Sequence, residues 1–224
     1  MLLAVDTSTT QIGLALYDGA QAQVIGETLW HGKLRHTTSL APATAELLER
    51  TNTKMDEIEA IGIALGPGSF TSLRVGLAFV KGLAMARHIP LIGIPTLDML
   101  TAAQPALDIQ LVAVLQAGRG RLAVSHYHAP DGQTWQPEGE PTIMRINELI
   151  ESIHSPIMVC GELSADERKQ LADDDRVQLG TPTQCTRRPA FLAELAWKRY
   201  QANDTDDAAS LAPIYVHIGD PIPS

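Results

Sequence analysis

An α/β protein built from two related halves is the fold this sequence predicts, and three observations carry the prediction. Apolar runs of strand length alternate with longer stretches whose apolar residues recur every three to four positions. The second half opens as the first does. With the numbering shifted by 110, Leu3-Ala4-Val5-Asp6 lies on Ala113-Val114-Leu115-Gln116, and Ile12-Gly13-Leu14-Ala15-Leu16-Tyr17 lies on Leu122-Ala123-Val124-Ser125-His126-Tyr127. Each half is strand, polar turn, strand. Third, Gly66-Pro67-Gly68-Ser69 joins an apolar strand to a small-residue helix through a turn whose glycines admit close backbone approach.

Leu2 to Val5, Ile12 to Tyr17 and Ala22 to Thr28 read as three strands, with Asp18-Gly19 turning the chain between the second and third. Thr38 to Arg50 reads as a helix with Leu40, Ala43, Leu47 and Leu48 at its apolar positions. Ile61 to Leu65 gives a strand, Phe70 to Arg87 a long helix, and Pro90 to Ile94 another strand. The order β-β-β-α-β-α-β lets the helices cross over between parallel strands. Beyond the second hairpin, Asp131-Gly132 punctuates the chain much as Asp18-Gly19 does. Arg145 to Ile153, Ile157 to Cys160, Ser164 to Ala172 and Pro189 to Ala202 supply helix, strand, helix and helix. Lobes are expected at residues 1–105 and 106–224, with the tail from about residue 205 packing back on the first lobe.

The 224 residues are 45% apolar, enough to bury a sizeable core. A net charge of −9 argues against a protein that holds nucleic acid by its own surface, because phosphate neutralisation needs clustered Lys and Arg. Any work on RNA would go through a basic partner. Cys160 and Cys185 lack metal-ligand spacing, and the sequence shows neither a signal peptide nor a membrane-length apolar run. A reduced, cytoplasmic setting away from membranes is the expectation.

The turn at Gly66 admits two readings. In one, Ser69 caps the helix and the free N–H groups beyond it, with the partial positive charge of the helix end, hold a phosphate. In the other it is a tight strand-to-helix joint with no ligand, since the run matches neither the Walker loop nor the dinucleotide fingerprint.

Two related α/β lobes, each opening on a β-hairpin whose first strand ends in a polar turn, resemble the actin-like ATPase (ribonuclease H-like) fold. The opening Leu3-Ala4-Val5-Asp6-Thr7-Ser8-Thr9, the phrase Gly66-Pro67-Gly68-Ser69-Phe70-Thr71 with Leu73-Arg74-Val75-Gly76, and Leu91-Ile92-Gly93-Ile94-Pro95-Thr96-Leu97 resemble the TsaB family, also called YeaZ. Pro213-Ile214-Tyr215-Val216 is similar to that family's C-terminal segment. The resemblance implies a non-catalytic subunit of the bacterial machinery that makes threonylcarbamoyladenosine beside the anticodon of tRNA. Such a subunit acts by dimerising with its catalytic paralogue TsaD, while TsaE supplies an ATPase. The tRNA is met only through the complex, and the sole cofactor left open is weakly held ATP or ADP at a partner interface.

Read by chemistry, the residues agree with that role. An ATPase of this fold presents a carboxylate at each hairpin turn to hold Mg²⁺ or to orient water. Here the duplicate of Asp6 is Gln116, and an amide supplies neither the charge nor a general base. Asp6 then reads as a strand-end residue accepting from the turn amides of Thr7 to Thr9. His31 and His36 are five apart, off a shared helical face. His126 and His128 share a strand face and could chelate, but an exposed pair is the preferred reading because no third ligand is evident. Ser69 lies outside the Gly-x-Ser-x-Gly elbow. No catalytic and no metal residue is assigned. In this reading Asp6, Thr7, Gly66, Gly68 and Ser69 are a vestigial phosphate-type site; the rival reading is an ATP-dependent phosphotransferase or ATPase acting alone that uses Asp6, Gly66, Gly68 and Ser69 at the phosphates. A self-sufficient homodimer with another binding role is the third.

The long helix is apolar over much of its circumference and needs cover on two sides, and Gly76 lets another helix approach closely. One cover is its own sheet. The other is either the helix Thr38 to Arg50 or helices of a second subunit. By analogy with the family, the partner interface falls on His36, Leu40, Leu47, Leu73, Gly76, Leu77 and Val80. The chain departs from the family pattern at Ser72, where glycine is usual, at Gln116-Ala117-Gly118, where Asp-Ala-Arg is common, and at His217, where arginine often follows the Pro-x-Tyr motif. Asp173-Asp174-Asp175 reads as a solvated helix end.

Overall fold

The computed structural model describes residues 1–32 and 36–216, with only the backbone of His36 and Thr37. The expectations for the His36 side chain and for His217 therefore lie outside the described residues. The first half contains β1 (Leu2–Asp6), β2 (Gln11–Asp18), β3 (Gln23–His31), α1 (His36–Arg50), β4 (Ala60–Ala64), α2 (Phe70–Arg87), β5 (Leu91–Ile94) and α3 (Thr96–Thr101). Its sheet has the order β3-β2-β1-β4-β5. The β1–β2 and β2–β3 pairs are antiparallel, while β1–β4 and β4–β5 are parallel.

Strand alternation divides the side chains of this sheet between two cores. Leu3 and Val5 join Ile12, Leu14, Leu16, Ile61 and Ile63 under Leu40 and Leu47 of α1 and Leu77, Val80 and Ala84 of α2. Leu2, Ala4, Ala15, Ala60, Ala64 and Ile92 face the other way.

The second half contains β6 (Gln110–Gly118), β7 (Arg121–His128), β8 (Gln136–Pro137), β9 (Thr142–Met144), α4 (Ile146–Ser152), β10 (Ile157–Gly161), α5 (Ala165–Ala172), β11 (Val177–Leu179) and α6 (Pro189–Gln201). Its sheet runs β11-β10-β6-β7-β8, with β9 also pairing β7. An antiparallel hairpin again has a further antiparallel neighbour on one side and two parallel strands on the other. The order repeats that of the first sheet, which is the duplicated α/β lobe of the actin-like ATPase fold. The hairpin registers differ by one residue: Asp6 pairs Gly13 across the first turn, whereas Gln116 pairs Leu122 across the second, beside an irregularity between Gln116 and Gly118.

The boundaries need correction. One compact unit is Met1–Met99 with Arg188–Ile214, and the other is Leu100–Arg187 with the last described residues, Tyr215 and Val216. The expected second lobe of 106–224 thus loses α6 to the first. The reason is packing: the sheet face left bare by α1 and α2 is covered by Leu192, Ala193 and Ala196 of α6. The chain beyond α6 stays with that unit, as Asp206 N–H donates to Leu91 O at 2.8 Å and Ile214 N–H to Leu65 O at 2.8 Å. No helix among the described residues is long and apolar enough to cross a membrane.

Candidate functional site

The structure brings Asp6, Thr7, Gly66, Gly68 and Ser69 together where β1 meets the start of α2, but it fills the space between them with the chain itself. Ser69 caps α2, its hydroxyl accepting from Ser72 N–H at 3.5 Å and from Ser72 Oγ at 3.0 Å. The Ser69 N–H is spent on Ser8 O at 2.6 Å. Thr7 donates from Oγ1 to Ser72 O at 2.9 Å. Asp6 Oδ1 accepts from the Ser8 N–H at 2.8 Å and from the Ser8 hydroxyl. Asp6, Thr7 and Ser8 are fully buried.

Two glycines make this closure feasible. A Cβ on Gly68 would lie 2.1 Å from Ser8 O, and one on Gly76 would lie 2.0 Å from Thr7 Oγ1. Gly66 is clamped as well, donating its N–H to Thr96 Oγ1 at 3.0 Å and accepting from Thr96 N–H at 2.8 Å. The turn is closely packed: of the groups drawn into the phosphate site, the Ser69 N–H serves Ser8, the Thr7 hydroxyl serves Ser72 and the Asp6 carboxylate serves Ser8.

The second hairpin carries the counterpart. Gln116 Nε2 donates to Glu167 Oε2 at 2.7 Å and to Glu162 O at 3.3 Å. Glu167 also caps its own helix, accepting from Ser164 N–H at 2.6 Å. Nearby, Glu162 forms an ion pair with the fully buried Arg187. The amide at 116 therefore acts as a donor to a carboxylate, a part an aspartate could not take.

The expected partner interface also needs correction. Leu40, Leu47, Leu73, Gly76, Leu77 and Val80 are all buried in the chain's own core, and of these Leu40 alone also borders the open groove on the outward flank of α2. Residues 73, 76, 77, 80 and 84 form the inward stripe of α2, so they hold the helix to its sheet and present nothing to a partner. The outward ridge is one position out of phase: Phe70, Arg74, Ala78, Gly82 and Met85. Phe70 is 53% exposed and Met85 72%. Leu40, Phe70, Arg74, Val75, Ala78 and Phe79 line an open groove of about 450 Å³ along this flank. Over it the Arg74 guanidinium stacks 3.6 Å from the centroid of the Phe70 ring. The signal available in the sequence was the i, i+4 spacing of 70, 74, 78 and 82; an almost wholly apolar helix conceals which stripe faces out.

The histidine pair on β7 is engaged by neighbours. His126 Nδ1 lies 3.2 Å from Gln110 Oε1, and His128 Nδ1 lies 3.4 Å from Glu138 Oε1. Among the described residues no three His, Cys, Asp or Glu side chains converge as a metal site. Cys160 and Cys185 are free and buried, and burial, with the neighbouring Cys185 second, pushes the Cys160 thiol up.

Comparison with known proteins gives this geometry its relatives. The family described as "TsaD: tRNA N6-adenosine threonylcarbamoyltransferase" matches residues 31–203. The Bacillus subtilis (strain 168) protein named tRNA threonylcarbamoyladenosine biosynthesis protein TsaB is 27% identical, over 98% of this chain and 95% of the relative. Its namesake from Escherichia coli (strain K12) is 28% identical over 64% of this chain and 62% of its own length. Among solved structures, YeaZ from Pseudomonas aeruginosa superposes with a TM-score of 0.77 at 21% identity, covering 96% of this chain and 99% of that one. The ethanolamine utilization protein EutJ from Carboxydothermus hydrogenoformans shares the fold at a TM-score of 0.51 and 15% identity, over 85% and 88% of the two chains. Sequence and fold together place the chain in the TsaB (YeaZ) family, a branch of the wider TsaD family.

Proposed function

We propose that this chain is a non-catalytic dimerisation subunit that binds a TsaD-type paralogue and supports threonylcarbamoyl transfer to tRNA. The observation that carries the reading is the outward flank of α2. It is an apolar groove with Phe70 and Met85 exposed, on a helix whose opposite stripe is fixed in the core. The small residues Ala78 and Gly82 let a second helix approach, and a Cβ on Gly82 would meet nothing within 4 Å. The joint at Asp6 and the amide at 116 support the non-catalytic half of the reading. One carboxylate is bound to its own turn, and the other is replaced by a donor. TsaE, a weakly held adenine nucleotide and the tRNA belong, in this reading, to the assembled complex.

Three experiments test it. The purified chain should co-elute with the TsaD-type paralogue of the same organism, and omitting it from a reconstituted reaction should abolish tRNA modification. The chain alone should not turn over ATP. Undiminished modification without the chain, or ATP hydrolysis by the chain that Asp6→Ala abolishes, would reject the proposal in favour of an autonomous enzyme.

A further inference from the structure

We infer that the tip of the β6–β7 hairpin, together with the residue that follows β9, is a phosphate-binding patch through which this chain holds the backbone of the tRNA. The inference deepens the reading of the chain as a subunit for tRNA modification and rests on it. It starts from the arginines. Six of those described pair with a carboxylate of the chain, Arg168 donates to Gly180 O, and Arg74 stacks on Phe70. Among the described residues, the only guanidinium groups without a hydrogen bond, ion pair or ring contact are those of Arg119, Arg121 and Arg145. A chain with 26 acidic side chains against 17 Lys and Arg has carboxylates to spare, so composition does not account for three arginines left without one.

The topology brings these three to one end of the second sheet. Gly118 pairs Arg121 across the turn, and Arg119 lies between them. Met144, the last residue of β9, pairs Leu122, so Arg145, still extended at φ −89° and ψ 162°, stands beside Arg121 one step beyond the ladder. Residues opposite one another on antiparallel strands share a face, and like charges so placed destabilise the pair. Arg119 adds a cost of its own. It sits at φ 55° between Gly118 at 78° and Gly120 at 67°, a left-handed position that glycine or asparagine suits better. Two carboxylates at this end of the sheet are bound to other donors: Glu148 accepts from the Arg145 N–H at 2.6 Å, and Glu167 from Gln116 Nε2 at 2.7 Å. An external anion is what relieves such a cluster, and the guanidinium fork fits phosphate oxygens in pairs. Relatives of this chain are named for threonylcarbamoyladenosine biosynthesis on tRNA, and a tRNA backbone offers phosphates in series to neighbouring arginines. A net charge of −9 repels a polyanion elsewhere, which confines the contact to this tip and makes it an addition to the grip of the complex.

The affinity of the complex between this chain and the TsaD-type paralogue for an unmodified tRNA transcript, measured over a range of salt, tests this. Replacing the three together, as Arg119→Gln, Arg121→Gln and Arg145→Gln, should weaken tRNA binding by about tenfold at about 0.1 M salt and make the slope of log affinity against log salt shallower by about 2. The triple variant Arg119→Lys, Arg121→Lys and Arg145→Lys should keep most of the affinity and the slope, since phosphate accepts either cation. The glutamine variant should still co-elute with the paralogue and melt no lower than the wild type, because these guanidinium groups bond to nothing in the chain. If it binds tRNA with the affinity and slope of the wild type, the inference fails while the partner-binding reading stands. If it loses the paralogue instead, the patch serves an acidic protein surface and the inference is overturned. A wild-type complex that does not hold the transcript overturns it as well, and the absence of any wild-type complex removes both readings.

Discussion

At the scale of single residues, the informative positions are those where the chain satisfies itself. Gln116 shows why an acid is absent from the second hairpin turn: its amide donates to Glu167, which is 8% exposed, and to the Glu162 carbonyl. Gln116→Glu would set two carboxylates against each other where the amide donor now lies 2.7 Å from Glu167 Oε2. The expected loss is about 1–3 kcal/mol at neutral pH. Like-charge contact raises one pKa of the pair in the folded state, so the folded protein binds the extra proton and the penalty shrinks as pH falls. Melting temperatures of variant and wild type at pH about 5 and about 8 check the sign; an equal difference at both would refute it. At the β1–α2 joint, Gly76→Ala should cost about 1–3 kcal/mol, because the added methyl meets Thr7 Oγ1 and the fully buried Thr7 has no open side to yield into. Urea denaturation gives that value directly. Asp6 was readable as a turn acceptor from its place at a strand end before Thr7-Ser8-Thr9. That Ser8 would also plug the turn was not, because it depends on a contact between residues about sixty apart in sequence.

At the scale of the element, α2 separates what sequence can show from what it cannot. Its ends were legible, since Ser69 is a capping residue and the apolar run stops at Arg87 before His88, which adopts the left-handed conformation at φ 54°. Its orientation was not legible, since a helix apolar on most sides has no polar stripe to mark the solvent. The weaker pattern of Ala78 and Gly82 between exposed Phe70 and Met85 emerges only once the sheet is in place. Neighbouring substitutions should therefore have opposite consequences. Leu77→Ala, at an inward position 7% exposed, should lose about 2–4 kcal/mol of stability. Ala78→Arg, one residue on, should leave the melting temperature unchanged and abolish capture of the paralogue. Calorimetry of each variant, paired with its co-elution, decides the point. A thermal loss at Ala78 equal to that at Leu77 would mean that the ridge is packed inside the chain after all.

At the scale of the whole molecule, the duplicated hairpin and the order of elements along the first half were legible because each hairpin has its own alternating pattern and turn. The elements missed were α3, β8, β9 and β11, which run from two to six residues and are too short to show a period. The division of the chain was not legible either, because nothing local to residues 188–201 says which sheet they will cover. The tail shows what retains them. Arg199 of α6 donates to Gly93 O at 2.6 Å and holds Asp204 through Nε at 2.6 Å, while Gly93 N–H donates to Asp206 Oδ2 at 2.7 Å. These bonds lay the tail along β5, covering a strand that would otherwise end the sheet with unpaired backbone. The Arg199 hydrogen bond holds the Asp204 carboxyl below its usual range. A carboxylate whose folded pKa is depressed contributes stability that is present above its unfolded value, near 3.9, and is lost as pH falls through the folded one. The clasp should therefore be intact at neutral pH and open in acid. A carboxyl-detected NMR titration should show Asp204 protonating below about 3.9 in the wild type and returning towards that value in Arg199→Met. In the same variant the Gly93 amide should exchange faster at neutral pH, because the strap covering it has lost its anchor. Normal titration of Asp204 in the wild type, or unchanged Gly93 exchange in the variant, would show that the tail is retained by the apolar contacts of Ala208 and Leu211 with the first core and not by this clasp.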